Sequence, residues 1–313
     1  MLTNLSLAAG LLVFLIPLAC GNHPGRQEVE TRQAGVGPDE PALTNNVVLR
    51  FGVVTRAEPR LTVAGSQPLI DYLEETTPYR VELRMGRSSE DVELDVGVQD
   101  LVTFLEERLV EVAPLGVLSF CLADERFGAV ALAQSVNDDG EPLERAAFIV
   151  AGSSDVRGLE DLRDKRVALG PSHSMLSHVL GIYELEKADV TASTSNLQSD
   201  EAVVEAVKRG DYDAGVVAEH LVDDHLRVVH RSLSIPSRPI VVRADLPEMV
   251  QASVRTALLE LDRESTSSWD RIFRNGFAPS VDSDYTLVRQ ILNQQGQRCT
   301  ESCHEPVRFG DHE

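Results

Sequence analysis

A turn rich in glycine and hydroxyl side chains is the first place where this chain could bind an anion. Residues 170–174 read Gly-Pro-Ser-His-Ser and separate a predicted strand at residues 166–169 from a predicted helix. Free backbone N–H groups at a helix start and nearby serine hydroxyls converge there, which suits a negatively charged group. Such turns are also common as plain connections in α/β proteins. On these residues alone, a binding role and a packing role both stay open.

The segments around this turn predict repeated α/β units. Residues 158–190 contain a short charged helix, a strand, the turn and a second helix. Residues 47–55 and 80–85 have the composition and length of strands, and residues 69–73 place apolar side chains on one helical face between them. A strand, a crossover helix and a second strand predict a layered α/β lobe.

Two further boundaries divide the body into lobes. Residues 147–150 predict a strand, and the Gly-Ser junction at residues 152–154 predicts the first crossing between lobes. Extended runs flank residues 231–238, which predict a second crossing. Residues 110–118 predict a strand that ends at Ser119. The predicted organisation is lobe I at residues 47–151 and 239–292, and lobe II at residues 152–238.

The first residues of the chain predict export. Residues 1–19 are apolar and uncharged but short for a membrane span, which is typical of a signal peptide. Cys20 follows a small residue at the end of this run, which is similar to the lipobox of bacterial lipoproteins and predicts lipidation of its thiol. Plain signal-peptide cleavage is the alternative. Residues 20–46 contain three prolines and no apolar period, and they predict a flexible tether.

Charge and motifs exclude several classes of function. The chain has 29 basic and 50 acidic residues, a net charge of −21, so nucleic acids and anionic membrane surfaces are poor partners. No enzyme signature is present, since residues 170–174 lack the closing glycine of a nucleophile elbow. There is also no phosphate-binding loop of the nucleotide-hydrolysing kind. Any transport energy must therefore come from a partner.

The polar tail, residues 293–313, contains a pair of cysteines. Cys299 and Cys303 precede His304, which resembles a c-type haem attachment site, but three residues separate the thiols where two are usual. A local disulfide in an oxidising compartment is the favoured interpretation. A haem on Cys299, Cys303 and His304, or a metal site that also uses His312, are the alternatives. We predict no metal and no other cofactor.

Several segments, in this order and spacing, resemble one family. The chain from residue 48 to residue 292 is similar to periplasmic substrate-binding proteins of the phosphonate, phosphite and phosphate type, the PhnD-like component of ABC importers. The segments that carry the resemblance are LRFGVV at Leu49, QPLIDYLE at Gln67, RVELR at Arg80, LSFCLADERFGAVAL at Leu118, GLEDLRDKRVALG at Gly158, LEKADV at Leu185, EAVKRGDYDAGVV at Glu205, IPSRPIVVRADLP at Ile235 and GFAPSVDSDY at Gly276.

The resemblance implies an α/β fold of two lobes, the type II periplasmic-binding-protein fold, hinged at two crossings. It implies that the lobes close on a small-molecule ligand and that the partners are an ABC permease and its ATPase. It also places the protein in the bacterial cell envelope, on the periplasmic or outer surface. An envelope sensory or redox accessory protein with the same binding fold is the alternative function.

The ligand motif of the second lobe is only partly preserved. The family's Ser-Thr-Ser-Gly element, which binds the oxyanion, falls on Ser174-Met175-Leu176-Ser177. A shift of one residue would instead offer Ser172 and Ser174, with His173 between them. We therefore predict ligand contacts from Ser172, His173, Ser174 and Ser177.

The other motif positions differ in chemistry. The family's hydroxyl-bearing aromatic corresponds to Phe120, next to Ser119, and its histidine corresponds to Asp200. Glu219 stands one place beyond the position of the family's acidic residue. We predict ligand contacts from these four residues. Because a carboxylate replaces a donor and hydroxyls are lost, the ligand has become less charged or cationic, or binding has been lost.

Overall fold

The first lobe is built on a six-stranded sheet. The computed structural model describes residues 47–54, 59–86, 95–261, 266, 269 and 273–296. The first part of this lobe consists of strands β1 (Val48–Val54), β2 (Arg80–Gly86), β3 (Val112–Pro114) and β4 (Val130–Ser135) and helices α1 (Pro59–Thr76), α2 (Asp95–Glu106) and α3 (Val117–Phe127). Strand β1 pairs in parallel with β2 and with β3. The predicted unit of strand, crossover helix and strand is therefore present.

The second lobe is built on a five-stranded sheet. The chain leaves β4 through the short strand β5 (Leu143–Glu144) and enters this lobe. Its strands are β6 (Ala146–Ala151), β7 (Arg166–Leu169), β8 (Ser193–Asn196), β9 (Ala214–Ala218) and β10 (Leu226–Arg231), in the spatial order β10-β6-β9-β7-β8. Its helices are a π-helical turn (Met175–Leu180) that continues into α4 (Gly181–Lys187), followed by α5 (Asp200–Arg209).

The chain then returns to the first lobe and completes its sheet. The returning elements are β11 (Ile235–Pro236), β12 (Pro239–Val242), α6 (Glu248–Leu259), β13 (Phe277–Pro279) and α7 (Thr286–Gln294). The order across the first sheet becomes β13-β4-β12-β3-β1-β2, with β12 antiparallel to both of its neighbours. Strands β5 and β11 pair with each other, so the two passes between the sheets are joined by their own small ladder.

The first crossing does not lie where the sequence predicted it. The prediction ended the first lobe at residue 151 and placed the crossing at the Gly-Ser junction of residues 152–154. Strand β6 instead pairs with β9 and β10, so it belongs to the second sheet, and the crossing precedes Ala146. Gly152 donates its N–H to the carbonyl oxygen of His225 at 3.2 Å. The Gly-Ser junction is therefore a turn inside the second lobe.

One segment that was predicted to end a strand begins a helix instead. Residues 110–118 were predicted to continue as a strand up to Ser119, but β3 stops at Pro114 and α3 begins at Val117. Gly116 precedes the helix with extended dihedral angles, φ −65° and ψ 155°. The run that follows is apolar enough to fit either period, so periodicity alone could not separate strand from helix. The consequence is that Ser119 and Phe120 lie on the first turn of a helix.

The central strands of the second sheet, β6 and β9, form the buried centre of the second lobe. All five residues of β9 are buried, as are the first five residues of β6. A strand that is covered on both faces reads as a continuous apolar run, which is the pattern of AAFIV and AGVVA. Among the described residues, every helix is too short or too polar to cross a bilayer.

Candidate ligand-binding site

Asp200 is the first residue of helix α5 in the second lobe. Ser199 caps the helix, because its hydroxyl accepts the N–H of Ala202 at 3.1 Å. The last turn ends at Gly210, whose φ of +78° is a left-handed conformation that glycine adopts at low cost. Val203 and Val207 are buried beneath the helix. These features fix the first turn, and Asp200 with it.

Asp200 makes its hydrogen bonds inside the protein. Its Oδ2 accepts the backbone N–H of Ala218 at 2.9 Å, and its carboxyl group also bonds with the Ser177 hydroxyl. Burial raises the pKa of the Asp200 carboxyl, while these two hydrogen bonds act in the opposite direction. The carboxylate that replaces the family's histidine is therefore a half-buried group with protein partners.

Gly170 brings the end of β7 into contact with this pair. A Cβ atom at Gly170 would lie 1.9 Å from Ser177 Oγ and 2.4 Å from Asp200 Oδ1. No side chain can be accommodated at such distances, so a glycine is required for close packing rather than for a special φ value. The hydroxyl of Ser177 and the carboxylate of Asp200 fill the space directly in front of the turn.

The serines of the predicted anion site bond to each other. Ser174 Oγ accepts the backbone N–H of Ser177 at 3.1 Å and lies 2.8 Å from Ser177 Oγ. This is an N-cap for the π-helical turn. Ser172 and His173 are half-buried on the turn before it. Ser174, Ser177 and Asp200 thus form one connected cluster, which we call the Asp200 cluster.

The predicted first-lobe residues lie in the core. The Phe120 side chain is almost fully buried, and its ring centroid lies 4.5 Å from that of Tyr285. The Tyr285 hydroxyl is in turn 2.9 Å from Ser280 Oγ. Ser119, one residue earlier on α3, is buried as well. Helix α3 therefore uses these residues to pack against the segment that leads into α7.

A large cavity lies where the two crossing segments meet the lobes. Its volume is about 830 Å³. The first lobe contributes the ends of β1, β3 and β4 and the start of α1, and the second lobe contributes Glu201, Glu219 and His220. The crossing segments contribute Glu144, Arg145 and Arg238, among others. Gly116 also lines the cavity, so the start of α3 opens into it.

One of the predicted contact residues lines this cavity. It is Glu219, whose carboxylate pairs with the guanidinium of Arg231. The remaining predicted residues are not part of the lining, and these are Ser172, His173, Ser174, Ser177, Ser119, Phe120 and Asp200. Glu201, the neighbour of Asp200 on α5, does line the cavity. The Asp200 cluster thus stands next to the cavity, with its polar groups directed at one another.

The sequence-based prediction missed the polar residues of the cavity that come from the crossings and from the first lobe. They are Ser66 on α1, Ser135 at the end of β4, and Glu144, Arg145 and Arg238 in the crossings. Arg238 lies in a segment that the sequence did predict as a crossing, so its position between lobes was available as a signal. Glu144 and Arg145 were hidden because the first crossing was placed too late.

Comparison with known proteins decides the class of this site. Residues 51–285 match the family described as "ABC transporter, phosphonate, periplasmic substrate-binding protein". The chain belongs to this family. The family's members are extracytoplasmic solute-binding components of ABC transporters.

Solved structures of family members share the fold. A binding protein component of an ABC phosphonate transporter from Pseudomonas aeruginosa is 19% identical, with a TM-score of 0.62 over 85% of this chain and 91% of that chain. PhnD1 from Prochlorococcus marinus, solved with methylphosphonate, is 17% identical, with a TM-score of 0.64 over 80% and 98%. XAC2383 from Xanthomonas citri, solved with chloride ion, is 19% identical, with a TM-score of 0.63 over 82% and 99%. The predicted two-lobe type II fold is confirmed.

The described residues also include side chains of the types that bind metal ions. Among them, no group of three or more histidine, cysteine, aspartate or glutamate side chains could hold a metal ion. Cys20, Cys299, Cys303 and His304 lie outside the described residues, so the predictions of lipidation, a disulfide or a haem remain predictions.

Proposed function

We propose that this family member captures a solute that is less charged than a phosphonate dianion and delivers it to an ABC permease driven by its ATPase. The observation that carries this proposal is the Asp200 cluster. A carboxylate stands at the start of α5, accepts the backbone N–H of Ala218 and interacts with the Ser177 hydroxyl, which donates to Ser174 Oγ. The donors that could have met a ligand oxyanion at this end of the cleft are thereby used within the protein.

Electrostatics supports the exclusion of a dianion. Two like unit charges about 4 Å apart repel by about 4 kcal/mol at the dielectric typical of sites near a protein surface. A dianion brought this close to an ionised Asp200 would meet a larger cost, and the charge of Arg238, which acts on the same carboxyl group, offsets part of it. Asp200 stands beside the cavity and not in its lining, so the repulsion falls with the distance between the ligand and Asp200.

The cavity supports retention of a solute-binding role. It lies at the junction of the two lobes, where a ligand contacts both and can favour one arrangement of the lobes over another. Its lining combines apolar residues such as Val53 and Leu115 with charged residues from the crossings. A concave cavity on which polar groups from several segments converge is typical of small-molecule sites.

We further propose that the protein reaches the envelope as a lipoprotein. Residues 1–19 act as the signal peptide, Cys20 receives the lipid, and residues 20–46 serve as the tether. Intact mass spectrometry of the mature protein tests this, since a lipid-modified N-terminal cysteine is expected. A mature chain that retains residues 1–19, or one cut there without lipid on Cys20, would contradict it.

Calorimetry with phosphate, phosphite and methylphosphonate tests the proposed ligand class. We expect no binding of any of the three at submillimolar concentration. Submillimolar binding of any one of them would overturn the proposal, because the Asp200 cluster would then not exclude a phosphonate-type ligand.

A further inference from the structure

The charged residues at the crossings have unused binding capacity. Arg238, in the second crossing, and Glu144, in the first, are both half-buried and both line the cavity. Within the described part of the chain, neither side chain forms a close ion pair or a side-chain hydrogen bond, although the charge of Arg238 also acts on the Asp200 carboxyl group. Other charged side chains of the cavity do pair, as Glu219 does with Arg231. Partly buried charges without partners are costly, so a complementary group from a ligand would stabilise them.

Arg238 is a lining residue whose backbone is fixed by the first lobe's sheet. Its carbonyl oxygen accepts the N–H of Ser135 at 2.9 Å, and the carbonyl oxygen of the next residue, Pro239, accepts the N–H of Leu115 at 3.0 Å. The backbone of Arg238 is therefore held between the ends of β4 and β3. Gly116, at the start of α3, lines the same cavity, and a helix start also favours negative charge. These two features suit an anionic group.

A second guanidinium and a carboxylate lie in the opposite crossing. Glu144 is paired with Ile235 in the ladder of β5 and β11, which fixes its backbone. Arg145 follows it, and its Nε donates to Ser234 Oγ at 2.9 Å. The two crossings thus contribute one negative and two positive side chains to the same cavity, those of Glu144, Arg145 and Arg238.

Two serine hydroxyl groups of the cavity lining are also open to a ligand. Ser66 is 2% exposed and Ser135 is 8% exposed, and both line the cavity. Neither hydroxyl oxygen is among the fully buried side-chain atoms without a partner in the described part of the chain. These hydroxyls are therefore accessible groups with which a polar ligand can bond.

We propose that the cleft binds a small zwitterionic solute, with its carboxylate on Arg238 and its ammonium group on Glu144. The hydroxyls of Ser66 and Ser135 bond its uncharged polar part. A guanidinium matches the two oxygens of a carboxylate in geometry and charge. This inference rests on the proposed function, because it assigns a ligand class to the same cleft.

The overall charge of the cavity favours a zwitterion over a simple anion. Its lining includes six carboxylates and two guanidiniums, and two of the carboxylates pair with arginines outside the lining, Glu219 with Arg231 and Asp138 with Arg274, which leaves carboxylates in excess. A field of that sign disfavours a ligand with net negative charge, whereas a molecule with no net charge can use Arg238 locally without that penalty. A simple cation, in turn, would leave Arg238 without a partner.

A binding panel with matched variants tests the inference. The probes are glycine, β-alanine and 4-aminobutyrate as zwitterions, acetate as an anion, ethanolamine as a cation, and methylphosphonate as a dianion. Thermal shift identifies binders, since a ligand selective for the folded form raises the Tm, and calorimetry gives the affinity. The variants are Arg238→Gln and Glu144→Gln. Arg157→Gln is the control, because Arg157 is exposed and does not line the cavity.

We expect at least one zwitterion to bind the wild-type protein and the Arg157→Gln control equally. Arg238→Gln and Glu144→Gln should each weaken that binding about tenfold or more, with circular dichroism unchanged. Zwitterion binding that survives both variants, stabilisation by ethanolamine alone, or no binding of any zwitterion would each overturn the inference. The last two results leave the proposed function intact, whereas tight binding of methylphosphonate would overturn the proposed function itself.

Discussion

The carboxylate of Asp200 accepts the backbone N–H of Ala218 at 2.9 Å, which joins the start of α5 to the end of β9. Ser177 adds a hydroxyl from the π-helical turn to the same carboxyl group. Three separate segments of the second lobe therefore meet at one half-buried carboxyl group. In this member of the family, the start of α5 serves the protein's own stability as well as any ligand.

Replacing Gly170 by alanine should destabilise the protein. The new Cβ would lie 1.9 Å from Ser177 Oγ, so the Asp200 cluster must shift or break. We expect a loss of about 1–3 kcal/mol in the free energy of unfolding, measured with urea. Gly116→Ala is the control, since its Cβ would meet nothing nearer than Ser119 Oγ at 4.0 Å. Equal effects at the two glycines would contradict the close packing.

The raised pKa of Asp200 predicts a specific pH dependence of stability. A carboxyl group whose pKa is higher in the folded state binds its proton more tightly there than in the unfolded chain. Its contribution to stability is therefore greatest at low pH. It falls as pH rises from about 3.9, the ordinary value, through the higher value of the folded state.

Comparison with Asp200→Asn isolates this contribution. The difference in unfolding free energy between the wild type and this variant should change in favour of the variant as pH rises through that window. Urea denaturation at a series of pH values measures it. A difference that is constant with pH, or one that changes in favour of the wild type, would show that the pKa of Asp200 is not raised in the folded protein.

Cys121 should be unreactive in the folded protein. Its side chain is buried in α3, and burial raises the pKa of its thiol to about 12. A variant with serine at Cys20, Cys299 and Cys303 leaves Cys121 as the sole thiol. We expect no reaction with Ellman's reagent near pH 8 until denaturant is added. Rapid reaction of the native variant would contradict the burial of this cysteine.

The tail cysteines should form a disulfide and carry no haem. Cys299 and Cys303 lie outside the described residues, and this prediction comes from the sequence. The protein purified from the periplasm should show no Soret band, and a thiol-alkylating reagent should label both cysteines only after reduction. A Soret band that depends on His304 would favour the alternative role as an envelope redox protein.

The sequence predicted individual strands and turns more reliably than it predicted which strands pair with each other. The strand at β7, the turn after it and the crossing near Arg238 depend on local signals such as apolar runs, glycine and proline. The assignment of β6 to a sheet depends on its pairing with β9 and β10, which are more than sixty residues away along the chain. Because such pairing leaves no local signal, the first crossing was placed too late.

The positions of the site residues also depend on contacts between distant segments, which local sequence does not predict. Asp200 was predicted as a ligand contact because it replaces a family histidine, but its hydrogen bonds with Ser177 and Ala218 require the folded arrangement of three segments. Phe120 was predicted as a contact because it corresponds to the family's hydroxyl-bearing aromatic, and the segment before it was predicted as a strand. Once α3 begins at Val117, its ring turns into the core against Tyr285. The cavity residues of the crossings follow from the topology and could not be found by motif alone.

The most direct test of the central claim is calorimetric titration of methylphosphonate into the wild type, Asp200→Asn and the control Asp224→Asn. Asp224 is an exposed carboxylate that does not line the cavity. If the Asp200 carboxylate excludes phosphonates, only Asp200→Asn should gain affinity, by about tenfold or more, because the like-charge repulsion is removed. Submillimolar binding of methylphosphonate to the wild type, unchanged in Asp200→Asn, would contradict the claim.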